Sequence, residues 1–435
     1  MKRRNNFYII KNFYISNLSK INSSLIKITN IGVNFFVYLL ILRRLGLSNA
    51  GLIYSCINLN ILLVTFGQFG FQYSIIKYIS QYFIKDKFYQ IRKLINFSTK
   101  IQVFISLFIS LLFILCLPQL NKILFSEIDF KIELALFIIS IPFLLIKDNN
   151  AFIIQGLGYP VLALSINTLL LPTFLCLGIL FFPFVNTTYF SFIHFISAFF
   201  ICIISYKLRV YIWSKKSANK TFNKNDFFDK LSFMLFSLNA WKITVLSVFI
   251  PRIIEFLVSV FGTPIDVSIF STSLRIAFLL NIPMVGTNQV ISRTIASNHK
   301  LKDFDEISKI SMKSLKFINI ISLPIFIFIL LFPELILNIF SNELINSGNI
   351  LRILAISIFA RIMFGPNEII LSMCGFEKYI FKSLLFSFLI SISSCIYLIP
   401  KIGLIGACLS LTMGNLCNST LLKIKYNNFI KSKVP

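Results

Sequence analysis

A chain of 435 residues that is 57% hydrophobic and only 13% charged, with a mean hydropathy of +0.83, has about half the charge density of an ordinary soluble domain. No soluble domain of useful size is left in it. That excludes the usual meaning of a formal net charge of +26, attraction to nucleic acid, and refers the surplus bases to the membrane surface.

The N-terminal segment MKRRNNFYIIKNFYISNLSK, Met1 to Lys20, is basic but broken by Asn and Lys, with neither an apolar core nor a small-residue cleavage site. It predicts a cytoplasmic tail and no cleaved signal peptide. Beyond it the hydrophobic stretches follow one another. A backbone crossing about 30 Å of hydrocarbon must satisfy its own hydrogen bonds, which roughly 20 apolar residues in a helix accomplish. Twelve helices are predicted: 21–42, 50–74, 99–118, 132–156, 161–182, 189–213, 231–261, 266–297, 314–333, 346–374, 379–400 and 402–424.

Helix 1 contains Lys27, which faces either a cavity or, by snorkelling, the inner headgroups. Arg43 and Arg44 end it on the outer side. Helix 2 is followed by Lys77, Lys85, Lys87, Arg92, Lys93 and Lys100. Helix 4 carries Lys147 and Asp148 near its middle; neighbours diverge around a helix, so a pairing between them is expected to be indirect. The loop PFVNTTYF between helices 5 and 6 has no charge. After helix 6 come Lys207, Arg209, Lys215, Lys216, Lys220, Lys224 and Lys230.

Helix 7 contains Lys242, Pro251, Arg252 and Glu255 within WKITVLSVFIPRIIEFLVS. Arg252 and Glu255 are three apart and so share a face, either neutralising one another or acting as a phosphate contact and a titratable coupling group. Pro251 is a candidate kink. FGTPID leads into helix 8, where Arg275 lies well inside TSLRIAFLL, with Leu279, Ile282, Gly286, Gln289 and Arg293 on roughly its face. The loop after helix 8 brings Lys300, Lys302, Lys309, Lys313 and Lys316, whereas the next loop has Glu334 and Glu343 and no base.

Helix 10 has Arg352 near its outer end, then Arg361 and Glu368 seven apart on one face. Helix 12 aligns Gly403, Gly406, Ser410 and Gly414, small residues that permit close helix contact. Lys423, Lys425, Lys431 and Lys433 close the chain. With twelve spans all basic clusters fall on one side, so both termini are placed in the cytoplasm.

Cys56, Cys116, Cys176, Cys202, Cys374, Cys395, Cys408 and Cys417 show no CxxC pair or metal-like spacing and read as small core residues. His194 and His299 stand apart. No metal site and no catalytic set is expected. Walker, GxSxG and HExxH patterns are missing, which argues against an enzyme.

The chain also repeats itself. Segment 54–80 lies on 270–296 without a gap, bringing Ser55 to Ser271, Gly70 to Gly286, Gln72 to Asn288 and Lys77 to Arg293. Almost the same shift lays IIQGLGY on ILSMCGF, so Gly158 meets Gly375. Two nearly equal offsets indicate one duplication of six helices, parallel because six is even. The fold expected is an all-α polytopic membrane protein with about twelve transmembrane helices in two pseudo-symmetric six-helix lobes. Residues 1–213 form the N-terminal lobe with its tail, 214–230 a basic cytoplasmic linker, and 231–435 the C-terminal lobe.

The segments RRLGLSNAGLIYS, FGQFGFQYSIIKYIS, FIIQGLGYP, SIFSTSLRIAFLLNIPMVG, LRILAISIFARIMFGPNEIILSMCGFEKY and IPKIGLIGACLS, in that order and over essentially the full length, resemble the polysaccharide transporters or O-antigen flippases. That family belongs to the multidrug/oligosaccharidyl-lipid/polysaccharide exporter superfamily. The resemblance implies a multi-pass protein of the bacterial inner membrane that moves an undecaprenyl-diphosphate-linked oligosaccharide from the cytoplasmic to the periplasmic leaflet. The product would be a surface polysaccharide such as O-antigen, capsule or exopolysaccharide. The lipid-linked oligosaccharide, membrane lipids, a polysaccharide polymerase and glycosyltransferases are the implied partners, with no nucleic acid and no cofactor; proton or sodium coupling stays open. In a cousin, the lipid II flippase, an Arg at the matching place of helix 8 lines the central cavity, a role that passes by resemblance to Arg275 alone.

A diphosphate and polar sugars crossing hydrocarbon require cationic groups inside the spans, and arginine suits them because its fork binds phosphate bidentately. Charges inside spans are costly and so are functional candidates. Arg275, Arg252, Lys242, Arg361 and Lys27 are the candidate substrate contacts; Glu255, Glu368 and Asp148 are the candidates for ion coupling. A cation- or proton-coupled multidrug exporter of the same superfamily is the alternative, although Asp148 stands nearly alone as an acid in the N-terminal lobe. A membrane-embedded polysaccharide-processing enzyme is a third class; it lacks a large outer loop to hold catalytic groups.

Overall fold

The computed structural model describes residues 2–125, 128–181, 186–218 and 228–432. Lys220, Lys224 and Lys433, much of the predicted linker, and the side chains of Lys2, Arg3, Arg4, Lys11, Lys20 and Arg293 lie outside what is described. Among the described residues the chain forms helices and no strand, as a backbone in hydrocarbon must.

Nine of these helices are long and apolar enough to cross a membrane. One of them, Thr29–Gly67, carries the first two predicted spans, divided at Gly46, whose φ of 78° and ψ of 172° are not helical. The helices Lys131–Gly156 and Leu404–Lys431 supply spans four and twelve, so every predicted span is helical. Ends move outward in places: helix 9 runs Phe304–Leu331 and helix 6 runs Thr187–Ser217. Lys309, Lys313, Lys215 and Lys216 are therefore helical residues and not loop residues.

Packing divides the chain into two compact units: residues up to Leu40, Leu63–Leu120 and Phe130–Trp241 in the first, and Ile41–Leu62, Asn121–Asp129 and Lys242–Pro435 in the second. This division does not follow the boundary drawn at 213 and 231. Residues 41–62, which join helices 1 and 2, pack with the C-terminal helices, because Gly51 lets the backbone close on Pro264: a Cβ there would collide with the Pro264 carbonyl oxygen. In the first unit Phe71, Phe88, Phe152 and Phe233 anchor an aromatic-rich core with Ile75, Ile79 and Ile91. In the second, Ile295, Ile307, Ile370, Tyr426 and Phe429 pack together.

Four predicted spans are interrupted. Helix 2 breaks at residues 68–70, between Gly67 and Phe71, where Gly70 has a φ of 72°. Helix 8 is Pro264–Phe278, a 3-10 turn at Leu279–Asn281, then Ile282–Leu301, so the single face drawn from Arg275 to Arg293 is broken. Helix 10 is Gly348–Met363 and Asn367–Met373, separated at Gly365, where φ is 84°. Arg361 and Glu368 therefore do not share a continuous face, a correction that follows from the Gly-Pro pair in FGPN. Helix 5 contains a π-turn at Ser165–Leu169.

The duplication is written in the hydrogen bonds. At the end of helix 4, Leu157 N–H donates to Ile153 O, Gly158 N–H to Gln155 O, and Tyr159 N–H to Ile154 O. At the end of helix 10, Cys374, Gly375 and Phe376 donate to Ile370, Ser372 and Leu371, the same three bonds on the residues that the repeat pairs with them. Short helices unseen in the hydropathy, Leu117–Phe125 and Pro333–Phe340, recur at nearly the same offset. On helix 12 the small face is used for packing: side chains at Gly406 and Gly414 would strike Leu398 O and Ser391 of helix 11, Glu377–Ile402.

Candidate functional site

Helix 7, Lys230–Phe261, presents Arg252 and Glu255 one turn apart, and the first segment of helix 8 presents Ser271 and Arg275 one turn apart. Where the two helices meet, these four residues form one cluster. Glu255 is fully buried, and its two oxygens are divided between two guanidiniums: Arg252 Nη1 lies 2.9 Å from Oε2 and Arg275 Nη1 lies 3.0 Å from Oε1. The Ser271 hydroxyl also donates to Oε1. Arg275 Nη1 donates at 2.7 Å to the Ser271 carbonyl, and its guanidinium lies 5.3 Å from the centre of the Tyr54 ring.

One carboxylate between two guanidiniums leaves a net charge of +1. A buried carboxylate is tolerable only when paired and hydrogen-bonded, and Glu255 meets both conditions. The surplus charge has an outlet, since the Arg252 side chain is 27% exposed and that of Arg275 15%. Asn58 Nδ2 donates to Arg252 O at 2.8 Å and Ser55 Oγ to Ser259 Oγ at 2.8 Å, fixing residues 41–62 against helix 7. The hydroxyls of Thr272 and Ser273, beside Ser271, are buried without a hydrogen-bond partner among the described residues.

A second polar cluster occupies the first unit. Lys147 Nζ lies 2.7 Å from Asp148 Oδ1; the pairing is direct, contrary to expectation, because the long lysine arm bends across the angle that separates neighbours on a helix. Gln68 Nε2 donates to Asp148 Oδ2 at 2.8 Å, and Lys147 Nζ also donates to the Asn167 carbonyl in the π-turn, at 3.1 Å. Arg209, placed by sequence among the orientation charges, instead donates inward to Thr99 Oγ1 at 3.1 Å, which also accepts from Asn149. Asn150 donates to Ser205 Oγ at 3.0 Å. Gln68, Asn149, Asn150, Thr99 and Ser205 were missed in the sequence, though four consecutive polar residues at 147–150 inside an apolar span were a visible signal.

The remaining candidates stand apart from these clusters. Lys242 is exposed, Lys27, Arg361 and Glu368 are half-buried, and no ion pair joins Arg361 to Glu368 among the described residues. Arg43 donates through Nε and Nη2 to Ile339 O at 3.1 and 2.6 Å, capping the short helix Pro333–Phe340, and Arg352 pairs with Glu334 at 2.9 Å. Among the described residues no group of three His, Cys, Asp or Glu side chains is disposed to hold a metal ion.

A family model described as MatE matches residues 243–397, which include Arg252 and Arg275. No curated protein matches the sequence. Solved structures match nearly end to end. An inward-facing multidrug resistance MATE family transporter of the MOP superfamily is 14% identical with a TM-score of 0.76, over 93% of this chain and 94% of that one. The lipid II flippase MurJ, in an inward closed conformation, is 16% identical with a TM-score of 0.72, over 94% and 87%. A MOP superfamily transporter from Pyrococcus furiosus, described as having a binding pocket of reverse polarity that suggests a different function, is 14% identical with a TM-score of 0.68, over 96% of each chain. The fold is thus the one found in MOP superfamily transporters: an all-α polytopic membrane protein with about twelve spans in two pseudo-symmetric six-helix lobes.

Proposed function

We propose that the protein is a flippase that carries an undecaprenyl-diphosphate-linked oligosaccharide from the cytoplasmic to the periplasmic leaflet of the bacterial inner membrane, by alternating access and for surface polysaccharide synthesis. The observation that carries this reading is the surplus positive charge of Arg252, Glu255 and Arg275 within two adjoining spans. Holding a guanidinium at that depth costs several kcal/mol, and an anionic cargo returns that cost through bidentate hydrogen bonds to phosphate. In this reading Arg252, the more exposed of the two, meets the diphosphate, while Arg275 holds Glu255 in place and shares the remaining charge. Asp148 is already matched by Lys147, so the N-terminal unit offers little free acid to attract a cationic drug.

Multidrug export is the second reading, favoured by the MatE match to residues 243–397 and the likeness to a MATE transporter. The deciding experiment is translocation in proteoliposomes. The native chain is expected to flip a fluorescent undecaprenyl-diphosphate oligosaccharide, and Arg252→Ala to slow it at least tenfold, the worth of one charged hydrogen bond of about 1.5–3 kcal/mol. Cation-driven efflux of a drug by a chain that flips none of several glycolipids would replace the first reading with the second.

A further inference from the structure

A cavity of about 290 Å³ opens in the second unit, between the first turns of helix 9, the break in helix 10 and the last turns of helix 12. It belongs to neither polar cluster described above. Lys423 and Lys431, about two turns apart on helix 12, line it with Ser308 and Ser311 from helix 9, and no carboxylate lines it among the described residues. Neither ammonium has an ion-pair partner among the described residues. Lys423 is steadied by Tyr426, its Nζ lying 5.2 Å from the ring centre.

Lysines at a helix end often do no more than snorkel. Two observations distinguish this place. Ser311 is 6% exposed, lines the cavity and makes no hydrogen bond to another described residue, so a hydroxyl at the cavity wall is left for an occupant. The backbone also makes room, because helix 10 is interrupted at Phe364 and Gly365 where they border the cavity.

The occupant must be anionic and accept several hydrogen bonds, which is the chemistry of a phosphate ester. The surroundings show which kind. Met312 lines the cavity and is 57% exposed, Ile424 beside Lys423 is 55% exposed, and Phe317 and Ile320 further along helix 9 are 55% and 71% exposed. Large apolar side chains in that number and exposure face acyl chains, so the cavity opens where headgroup meets hydrocarbon. Pockets that enclose drug-sized ligands run from about 300 to 1,000 Å³, so this one suits a single headgroup and excludes a glycan. It lies at the ends of helices 9 and 12 that carry Lys309, Lys313, Lys423, Lys425 and Lys431, the cytoplasmic side by the positive-inside rule.

We propose that this cavity is a binding site for the phosphodiester headgroup of an anionic phospholipid of the inner leaflet, held by Lys423, Lys431 and the Ser311 hydroxyl. Basic pockets between transmembrane helices on the cytoplasmic side are suited to such headgroups. The site is independent of the cargo and would act on a drug exporter as well as on a flippase.

The test is native mass spectrometry of the full-length protein released from detergent, titrated with phosphatidylglycerol, with phosphatidylcholine of the same acyl chains, and with inorganic phosphate alone. The native chain is expected to retain phosphatidylglycerol over phosphatidylcholine. Each lysine near an anionic surface contributes about a factor of five, so Lys423→Ala with Lys431→Ala should weaken retention about 25-fold. Ser308→Asp, which introduces a like charge without removing a lysine, should weaken it similarly and covers the case in which the double variant misfolds. Lys401→Ala, at the opposite end of helix 11, should leave it unchanged. Equal retention by the native chain, the double variant and Ser308→Asp would overturn the proposal. So would inorganic phosphate occupying the site as readily as the lipid, which would make it a site for a soluble anion.

Discussion

Glu255 sets the stability of the candidate site more than either arginine does, because the three groups are unequal. Removing Arg252 leaves Glu255 and Arg275 as a neutral pair 3.0 Å apart. Removing the carboxylate leaves two guanidiniums confined together without a counter-charge, and the loss of one partner from a buried ion pair costs about 3–5 kcal/mol. Glu255→Gln should therefore destabilise the protein by about 3 kcal/mol, whereas Arg252→Ala should cost about 1 kcal/mol or less. Thermal unfolding followed by the reactivity of the buried thiols Cys56, Cys374, Cys395 and Cys408 measures both. Equal midpoints for the two variants would mean that the triad is no electrostatic unit. One of the two ion pairs of this group was legible in the sequence, since the spacing of Arg252 and Glu255 places them on one helical face. Arg275 was visible as a costly charge, but its bond to Glu255 was not, because it depends on which faces of helices 7 and 8 meet. Lys147 and Asp148 show the opposite limit: their side chains meet in spite of the helical angle between them, and only the reach of the lysine decides it.

Helices were legible as spans and poorly legible in their interruptions. Hydropathy measures transfer from water, and neither the break at Gly365 nor the 3-10 turn at Leu279–Asn281 changes it. The repeat was legible at Gly158 and Gly375 because the backbone there requires glycine: φ is +99° and +85°, and each glycine donates in the same hydrogen-bonded turn. The halves diverge further back, where the alignment that pairs these two glycines lays Lys147, Asp148 and Asn149 on Phe364, Gly365 and Pro366. One half fills that level with buried polar side chains; the other opens its backbone. Since the two turns share their geometry, Gly158→Ala and Gly375→Ala should cost equal amounts, about 1–2 kcal/mol for forcing an L-residue to positive φ. Both have open space for the added methyl. Gly51→Ala should cost more than either, because its Cβ would meet a backbone carbonyl that cannot move without shifting helix 8. Thermal midpoints of the three variants test the order, and unequal losses at Gly158 and Gly375 would count against a shared turn.

At the scale of the whole molecule, the division into packing units was not legible, because residues 41–62 lie in sequence beside helix 1 and pack with the C-terminal helices. Orientation rests on charge instead. Translocating a lysine-rich segment is disfavoured, and the bases after helices 2, 6 and 8 and at the C-terminus fall on one side when the spans number twelve. This places Cys116, exposed at the end of Phe88–Leu115, outside, and Leu301, 74% exposed between Lys300 and Lys302, inside. In a chain whose only cysteine is Cys116, a membrane-impermeant maleimide should label intact cells. In a chain whose only cysteine is supplied by Leu301→Cys, labelling should require permeabilisation. The two sites lie at opposite ends of the predicted spans, so a reversed pattern would invert the protein in the membrane. Labelling of both from outside would mean that the number of spans between them is even, and the parallel six-plus-six repeat would fall with it.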